Sequence, residues 1–172
     1  MNAQLDQVLK KQQEQQQNHD GNGNIHNAEQ EEEIIQLVGF IAGEEEYAVP
    51  ILSIQEIIKP IEYTRIPSTP NYVLGAFNLR GNVIPLIDLR MKFNLPKKDE
   101  DDATRYIVMK DGDNIAGFVI DKLTEAIRLK KSSIDPTPET LHKDQGMIYG
   151  IGKRDKTILT ILKVSALLKR DF

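Results

Sequence analysis

A mainly β fold made of two small barrels is predicted by three observations. Short apolar runs, such as Val83-Ile84 and Leu86-Ile87, are punctuated by Gly, Asn and Pro turn chemistry. The landmarks then recur: Phe40-Ile41-Ala42-Gly43 leading to Tyr47-Ala48-Val49 is answered by Val108-Met109-Lys110-Asp111-Gly112 leading to Ile115-Ala116-Gly117, an offset of 68. Finally, 172 residues with 40% hydrophobic content can build one ordinary domain or two very small ones. Copies spanning about residues 34–93 and 104–168 would each have a meagre core, so the two barrels are expected to pack against one another.

The N-terminal stretch, positions 1–33, reads as a disordered tail. Between Lys10 and Gln30 the only large apolar side chain is Ile25, in Gln-rich and Asn/Gly-rich sequence that buries too little to offset the cost of ordering a backbone. Leu5, Val8 and Leu9 stand at helical spacing, which also suits a short amphipathic helix that docks a partner, but with only three apolar residues the disordered tail is favoured, and removing residues 1–30 is expected to leave the melting temperature nearly unchanged. Residues 51–58 look like a short helix with Ile51, Ile54 and Ile58 on one face and Gln55 and Glu56 turned elsewhere.

Residues 75–93 carry the most information. Two strand-like runs flank a tight corner, Asn78-Leu79-Arg80-Gly81, that presents a single charge. Pro85 has no amide hydrogen for a ladder and marks an edge or a bulge. Asp88 is placed to cap a short helical turn that buries Leu89 and Phe93 and turns Arg90 and Lys92 outward. In the second copy Gly150 to Leu168 aligns with Gly75 to Phe93 at an offset of 75, with extra residues around His142 to Gly146, and Ile158 to Leu162 takes the place of Val83 to Ile87.

This segment resembles the signature of CheW, the bacterial chemotaxis adaptor family. Tyr47-Ala48-Val49, Ile54-Gln55-Glu56-Ile57, Thr64-Arg65-Ile66-Pro67, Thr69-Pro70, Tyr72-Val73, Gly75 and Gly117-Phe118-Val119-Ile120-Asp121 follow in that family's order and spacing, so the likeness runs over about residues 34–168. It implies two five-stranded SH3-like barrels and a protein without catalysis or cofactor. It also implies two partners, the cytoplasmic tip of a chemoreceptor and the regulatory domain of the histidine kinase CheA. By resemblance Arg80, Glu56, Ile54 and Ala126 line the groove that receives the receptor tip. Gly75, Gly150, Asp135, Glu139 and Thr140 fall where the family meets the kinase. A competing reading pairs Arg80 with Glu56 or Asp88 to hold the barrels together, and glycines at positions 75 and 150 also suit unusual backbone angles.

Other chemistries find no support in the residues. His19 and His26 lie in the tail and His142 in the longer loop, so no metal-ligand spacing arises, and no Ser has a base nearby in sequence. Gly150-Ile151-Gly152-Lys153 lacks the spacing of a phosphate-binding loop. Asp111, Asp113 and Asn114 around Gly112 read as a hairpin turn rather than a calcium loop. Residues 1–33 hold seven acids against Lys10 and Lys11, a net −5, so with −4 for the whole chain the remainder carries only +1 and offers no basic stripe for nucleic acid. Tyr47, Tyr63, Tyr72, Tyr106 and Tyr149 are dispersed, unlike the aromatic and basic interleaving of an RNA-binding or ligand-binding barrel. With no cysteine, no spanning apolar run and no secretory leader, a cytoplasmic protein is expected, without insertion into the bilayer; the resemblance implies its recruitment to membrane-associated receptor arrays. A free adaptor is favoured over a receiver-fused coupling protein, a kinase domain or a scaffold of another two-component or motility pathway.

Overall fold

Alternation builds the first strand, and one bulge redirects it. In β1 (Ile34–Ala42) Ile35 and Leu37 point inward while Ile34 and Gln36 face solvent. The register then slips between Val38 and Phe40, after which Phe40 and Ala42 are the buried residues. Gly39 sits at the slip, where a Cβ would collide with Thr124 Oγ1. The bulge thus lets a single strand serve two cores: Ile35 and Leu37 enter one apolar cluster, Phe40 and Ala42 another.

The computed structural model describes Val8, Leu9 and residues 32–136 and 146–170. After β1 come β2 (Glu45–Pro50), a 3₁₀ turn (Ile51–Ser53), β3 (Ile54–Ile58), β4 (Val73–Leu79), β5 (Asn82–Asp88) and the one-turn helix α1 (Leu89–Lys92). The second half holds β6 (Arg105–Asp111), β7 (Asn114–Ile120), β8 (Lys122–Lys130), β9 (Asp135–Pro136), β10 (Ile148–Arg154), β11 (Thr157–Leu162) and α2 (Val164–Leu167). One sheet has the order β8-β1-β2-β11-β10-β9 and the other β3-β6-β7-β5-β4. The architecture is the expected pair of SH3-like barrels. The six-stranded sheet exceeds the expected five by β9 alone, a two-residue strand matched in the other barrel by the single bridge between Thr64 and Ala76.

Repeats and barrels do not coincide. The β1–β2 hairpin of the first copy completes the sheet of the second, and the β6–β7 hairpin of the second completes the sheet of the first. Each exchanged hairpin joins its host by a three-residue parallel seam, Glu46 to Ala48 beside Leu159 to Ile161 and Gly117 to Val119 beside Leu86 to Asp88. The pairings correct the repeat alignment by one residue. The hairpin closed by Ala42 and Glu45 matches the one closed by Asp111 and Asn114, so the offset is 111 − 42 = 69 rather than 68. A one-residue slip would turn every side chain to the wrong face. The later offset of 75 holds, since Gly75 opposite Leu86 is matched by Gly150 opposite Ile161.

Three apolar clusters result. One fills each barrel, and the largest lies between them, built from the exchanged hairpins (Phe40, Tyr47, Val49, Met109, Phe118) and the short helices (Leu89, Val164, Leu167). Tyr47 stacks between Phe40 and Phe93, with ring centroids 5.9 and 5.2 Å away. The small size of each copy called for this packing of one barrel on the other.

Four local expectations change. Residues 51–58 form a 3₁₀ turn and a strand, because β3 finds a ladder partner in β6; Ile54 packs on the shared cluster and Ile58 on the barrel's own. Pro85 belongs to neither an edge strand nor a bulge: β5 lies between β7 and β4, and Pro85 is tolerated because the parallel seam begins only at Leu86. Arg90 is not turned out but largely buried. Its Nε and an Nη donate to Asp121 at 2.7 and 2.6 Å, and its other Nη donates to the Pro96 carbonyl. Lastly, Leu9 is buried in the six-stranded barrel's cluster, so the N-terminal segment does own a buried face, and deleting it should cost stability. The rest of the predicted tail, up to Glu31, lies outside the described residues.

Asp121 is the residue at which the chain crosses from one sheet to the other. Besides Arg90 it accepts from the Gly43 amide at 2.9 Å, while its own amide donates to the Ile41 carbonyl, so it ties α1, the β1–β2 turn and the crossover together. Burial raises the carboxyl's pKa, but the Arg90 guanidinium and the Gly43 amide outweigh it and hold the group below the ordinary carboxylate range. Asp88 caps α1 through the Met91 amide, yet burial dominates there and pushes its pKa up.

The opposite signs of these shifts carry opposite consequences for stability. A depressed folded pKa stabilises above the unfolded value near 3.8 and loses that stabilisation as pH falls through the folded value. Asp121→Asn should therefore cost about 3 kcal/mol at neutral pH and flatten the acid limb of a melting-temperature profile, and an unchanged profile would remove the staple. For Asp88 the raised pKa means that ionisation is less favourable in the folded state than in the unfolded chain, so the carboxylate opposes folding above the unfolded value near 3.8. Asp88→Asn keeps a capping oxygen and should melt at or above the parent, whereas Asp88→Ala should lose about 1 kcal/mol in denaturant unfolding.

Candidate functional site: the Arg80 corner

Leu79 opposite Asn82 leaves Arg80 and Gly81 as a two-residue hairpin loop. Both adopt left-handed backbone, with φ of 53° and 84°, as a turn that follows the right-handed twist of its strands requires. Gly81 meets this demand without strain, and Arg80 meets it at a cost for a residue with a Cβ. Asn78 steadies the corner by accepting from the Gly81 amide at 3.1 Å. The sequence-predicted corner is therefore present as drawn.

Its charge is displayed rather than used up. The Arg80 side chain is 76% exposed and one Nη donates to Glu56 Oε1 at 3.0 Å, with the Glu56 side chain 26% exposed. An exposed pair of this kind is worth about 0.2–1 kcal/mol, so a partner's carboxylate can displace Glu56 at little cost. Because β3 and β4 lie on opposite edges of the five-stranded sheet, the pair spans the rim of a single barrel. It does not hold the two barrels together, and Asp88 is not its partner.

The equivalent corner of the other barrel shows what a structural arginine looks like here. At the repeat offsets fixed by strand pairing, Glu125 is the counterpart of Glu56, and Asp155, with φ of 53°, is the counterpart of Arg80. The guanidinium next to it, from Arg154, lies 2.6 Å from Glu46 Oε1 and 2.9 Å from Glu125 Oε1 and is only 25% exposed. Two carboxylates thus flank it: one Nη donates to Glu46, while the Nη facing Glu125 is buried beside that charge without a hydrogen bond among the described residues. Sequence reading missed this cluster; the repeat, taken at its true register, was the signal that would have found it.

The other named residues are dispersed. Ile54 lies two positions before Glu56 on β3, half-buried against the shared cluster. Directly before it Ile51 and Leu52 are exposed, an apolar shoulder that the helical reading hid. Ala126 is exposed on β8, opposite Val38, in the other sheet. Gly75 and Gly150 both stand at register slips where another segment crosses closely: a Cβ at Gly75 would overlap the Thr64 carbonyl oxygen, and one at Gly150 would come within 2.6 Å of Ile134 Cγ2 and 2.8 Å of Asp135 O. Packing alone accounts for both glycines. Asp135 is exposed at the start of β9, and Glu139 and Thr140 lie outside the described residues. Among the described residues no cluster of His, Asp and Glu is arranged to hold a metal ion, and no helix is long and apolar enough to cross a membrane.

Comparison with known proteins places this architecture. The family model of the CheW-like domain matches residues 36–172. The chemotaxis protein CheW of Helicobacter pylori is 59% identical over 144 residues, covering 84% of this chain and 87% of that protein. The chemotaxis protein CheW of Bacillus subtilis is 33% identical over 136 residues, 78% of this chain and 87% of that one. Among solved structures, the scaffolding protein TtCheW from Thermoanaerobacter tengcongensis superposes with a TM-score of 0.72 at 33% identity, over 76% of this chain and 90% of that chain. With the two-barrel fold, the ordered motifs and these likenesses in agreement, the chain belongs to the CheW family.

Proposed function

We propose that this protein is a non-catalytic chemotaxis adaptor, working in the cytoplasm at receptor arrays, that couples chemoreceptors to the histidine kinase CheA. The observation that carries the reading is the Arg80 corner: a guanidinium held outward on a rigid two-residue turn, with one weakly engaged donor and the remainder free for a partner. Such a fork suits the carboxylates or terminal carbonyls of a helical hairpin tip. Glu56 steers Arg80 in the free protein and yields it to the receptor, while Ile54 and the neighbouring Leu52 offer apolar contact. Ala126 contributes a small side chain on the second barrel. The kinase's regulatory domain meets the region of Gly75, Gly150, Asp135, Glu139 and Thr140, where the glycines shape the corner and the polar residues make the contact. Separate surfaces for the two partners let one molecule bridge them.

Arg80→Ala should weaken receptor binding by about 1–3 kcal/mol, the cost of losing a charge-assisted hydrogen bond at an interface, and leave kinase affinity and melting temperature nearly unchanged. A stable variant with undiminished receptor affinity would take Arg80 out of the site. In a reconstitution of kinase with receptor-containing membranes, adding the protein should raise kinase activity, and output identical with and without it would defeat the coupling function itself.

A further inference from the structure

Leu9 is 4% exposed, although it lies well ahead of position 36, where the match to the family model begins. It and Val8 are helical, and Leu9 packs with Ile35, Leu37, Ile127, Leu129, Leu159 and Ile161 inside the six-stranded barrel. The other barrel needs no such supplement. There Phe77 and Tyr106, with ring centroids 5.8 Å apart, fill the interior from the barrel's own strands. At the repeat offsets fixed by strand pairing, the counterpart of Phe77 is Gly152 and that of Tyr106 is Leu37. Two aromatic rings are thus replaced by a hydrogen atom and a leucine. Leu129 takes the space over Gly152, where a Cβ would lie 2.6 Å from its Cδ1, and Leu9 completes the layer.

We infer that the segment around Val8 and Leu9 is a docking element that this chain seats on its own six-stranded barrel, with Leu9 as its anchor. Its apolar residues, Leu5, Val8 and Leu9, repeat at i, i+3 and i+4, the pattern of a helix that lays one face on an apolar surface. Because the segment is covalently part of the chain, its docking is intramolecular and is stronger in the intact protein than for the separated segment. The docked element lies outside the family-model match, and it makes the inner layer of one barrel dependent on sequence outside that domain.

The test uses the full chain with Leu9→Asp, Leu9→Ala and Leu9→Met. Leu9→Asp and Leu9→Ala should lower the melting midpoint by about 5 °C and shift NMR resonances of Leu37, Ile127, Tyr149 and Ile161, leaving those of Phe77 and Tyr106 in place; Leu9→Met should match the parent. A synthetic peptide of residues 1–16, titrated into the Leu9→Ala protein, should return the shifted resonances in a saturable manner. Unchanged melting and resonances in both Leu9→Asp and Leu9→Ala would overturn the docking. A melting loss that the peptide leaves uncorrected would overturn a separable element and make Leu9 an ordinary core residue. A parent protein that is dimeric by light scattering and becomes monomeric in Leu9→Asp would overturn the intramolecular assignment in favour of a second copy as donor.

Discussion

Two short parallel seams decide the form of this molecule. Each sheet lacks two strands until a hairpin arrives from the other repeat, and each arriving hairpin presents its second face to the interior between the barrels. The shared cluster is therefore a direct product of the exchange: Phe40 and Tyr47 from one hairpin and Met109 and Phe118 from the other could not meet there if each repeat closed on itself. Asp121 secures the crossing with a short bidentate pair to Arg90, and the positions on either side of it belong to different sheets. Everything that faces a partner is mounted on this double exchange.

On this common frame the two equivalent corners have diverged in how they use charge. In one, Glu46 and Glu125 enclose Arg154, and the guanidinium knits β2, β8 and β10 together. In the other, Ile115 takes the position of Glu46, so Arg80 has only Glu56 and extends into solvent. A duplicated scaffold thus holds a structural arginine on one side and an available one on the other, at neighbouring rather than equivalent positions, since Arg154 corresponds to Leu79 and Arg80 to Asp155.

Most of the strands, the Arg80 corner, the Asp88 cap and the packing of the two barrels on each other were legible in the chain, because each is written in local alternation, turn chemistry or core size. The exchange was not, since the repeats align equally well whichever barrel a hairpin joins. Arg90 illustrates the limit of local reading: on a single helical turn it looks solvent-facing, and its partner Asp121 is remote in sequence. Leu9 was noticed at helical spacing with Leu5 and Val8 but outweighed for a different reason, since averaging polarity over positions 1–33 conceals one anchor. At the site, Arg80 and Glu56 were read correctly as neighbours, while the apolar shoulder of Ile51 and Leu52 was hidden by a helical periodicity that pairing with β6 overrode.

The exchange also sets a timetable during synthesis. The β1–β2 hairpin leaves the ribosome first, yet its parallel neighbour β11 ends only at Leu162, close to the end of the described chain. The five-stranded barrel, complete once Ile120 has emerged, is able to close while the first hairpin still waits with Phe40 and Tyr47 uncovered. Nascent chains of this protein should therefore pass through a half-built stage that displays a sticky ribbon, and at the bench the same stage predicts slow, long-range closure of the second barrel as the last event in refolding.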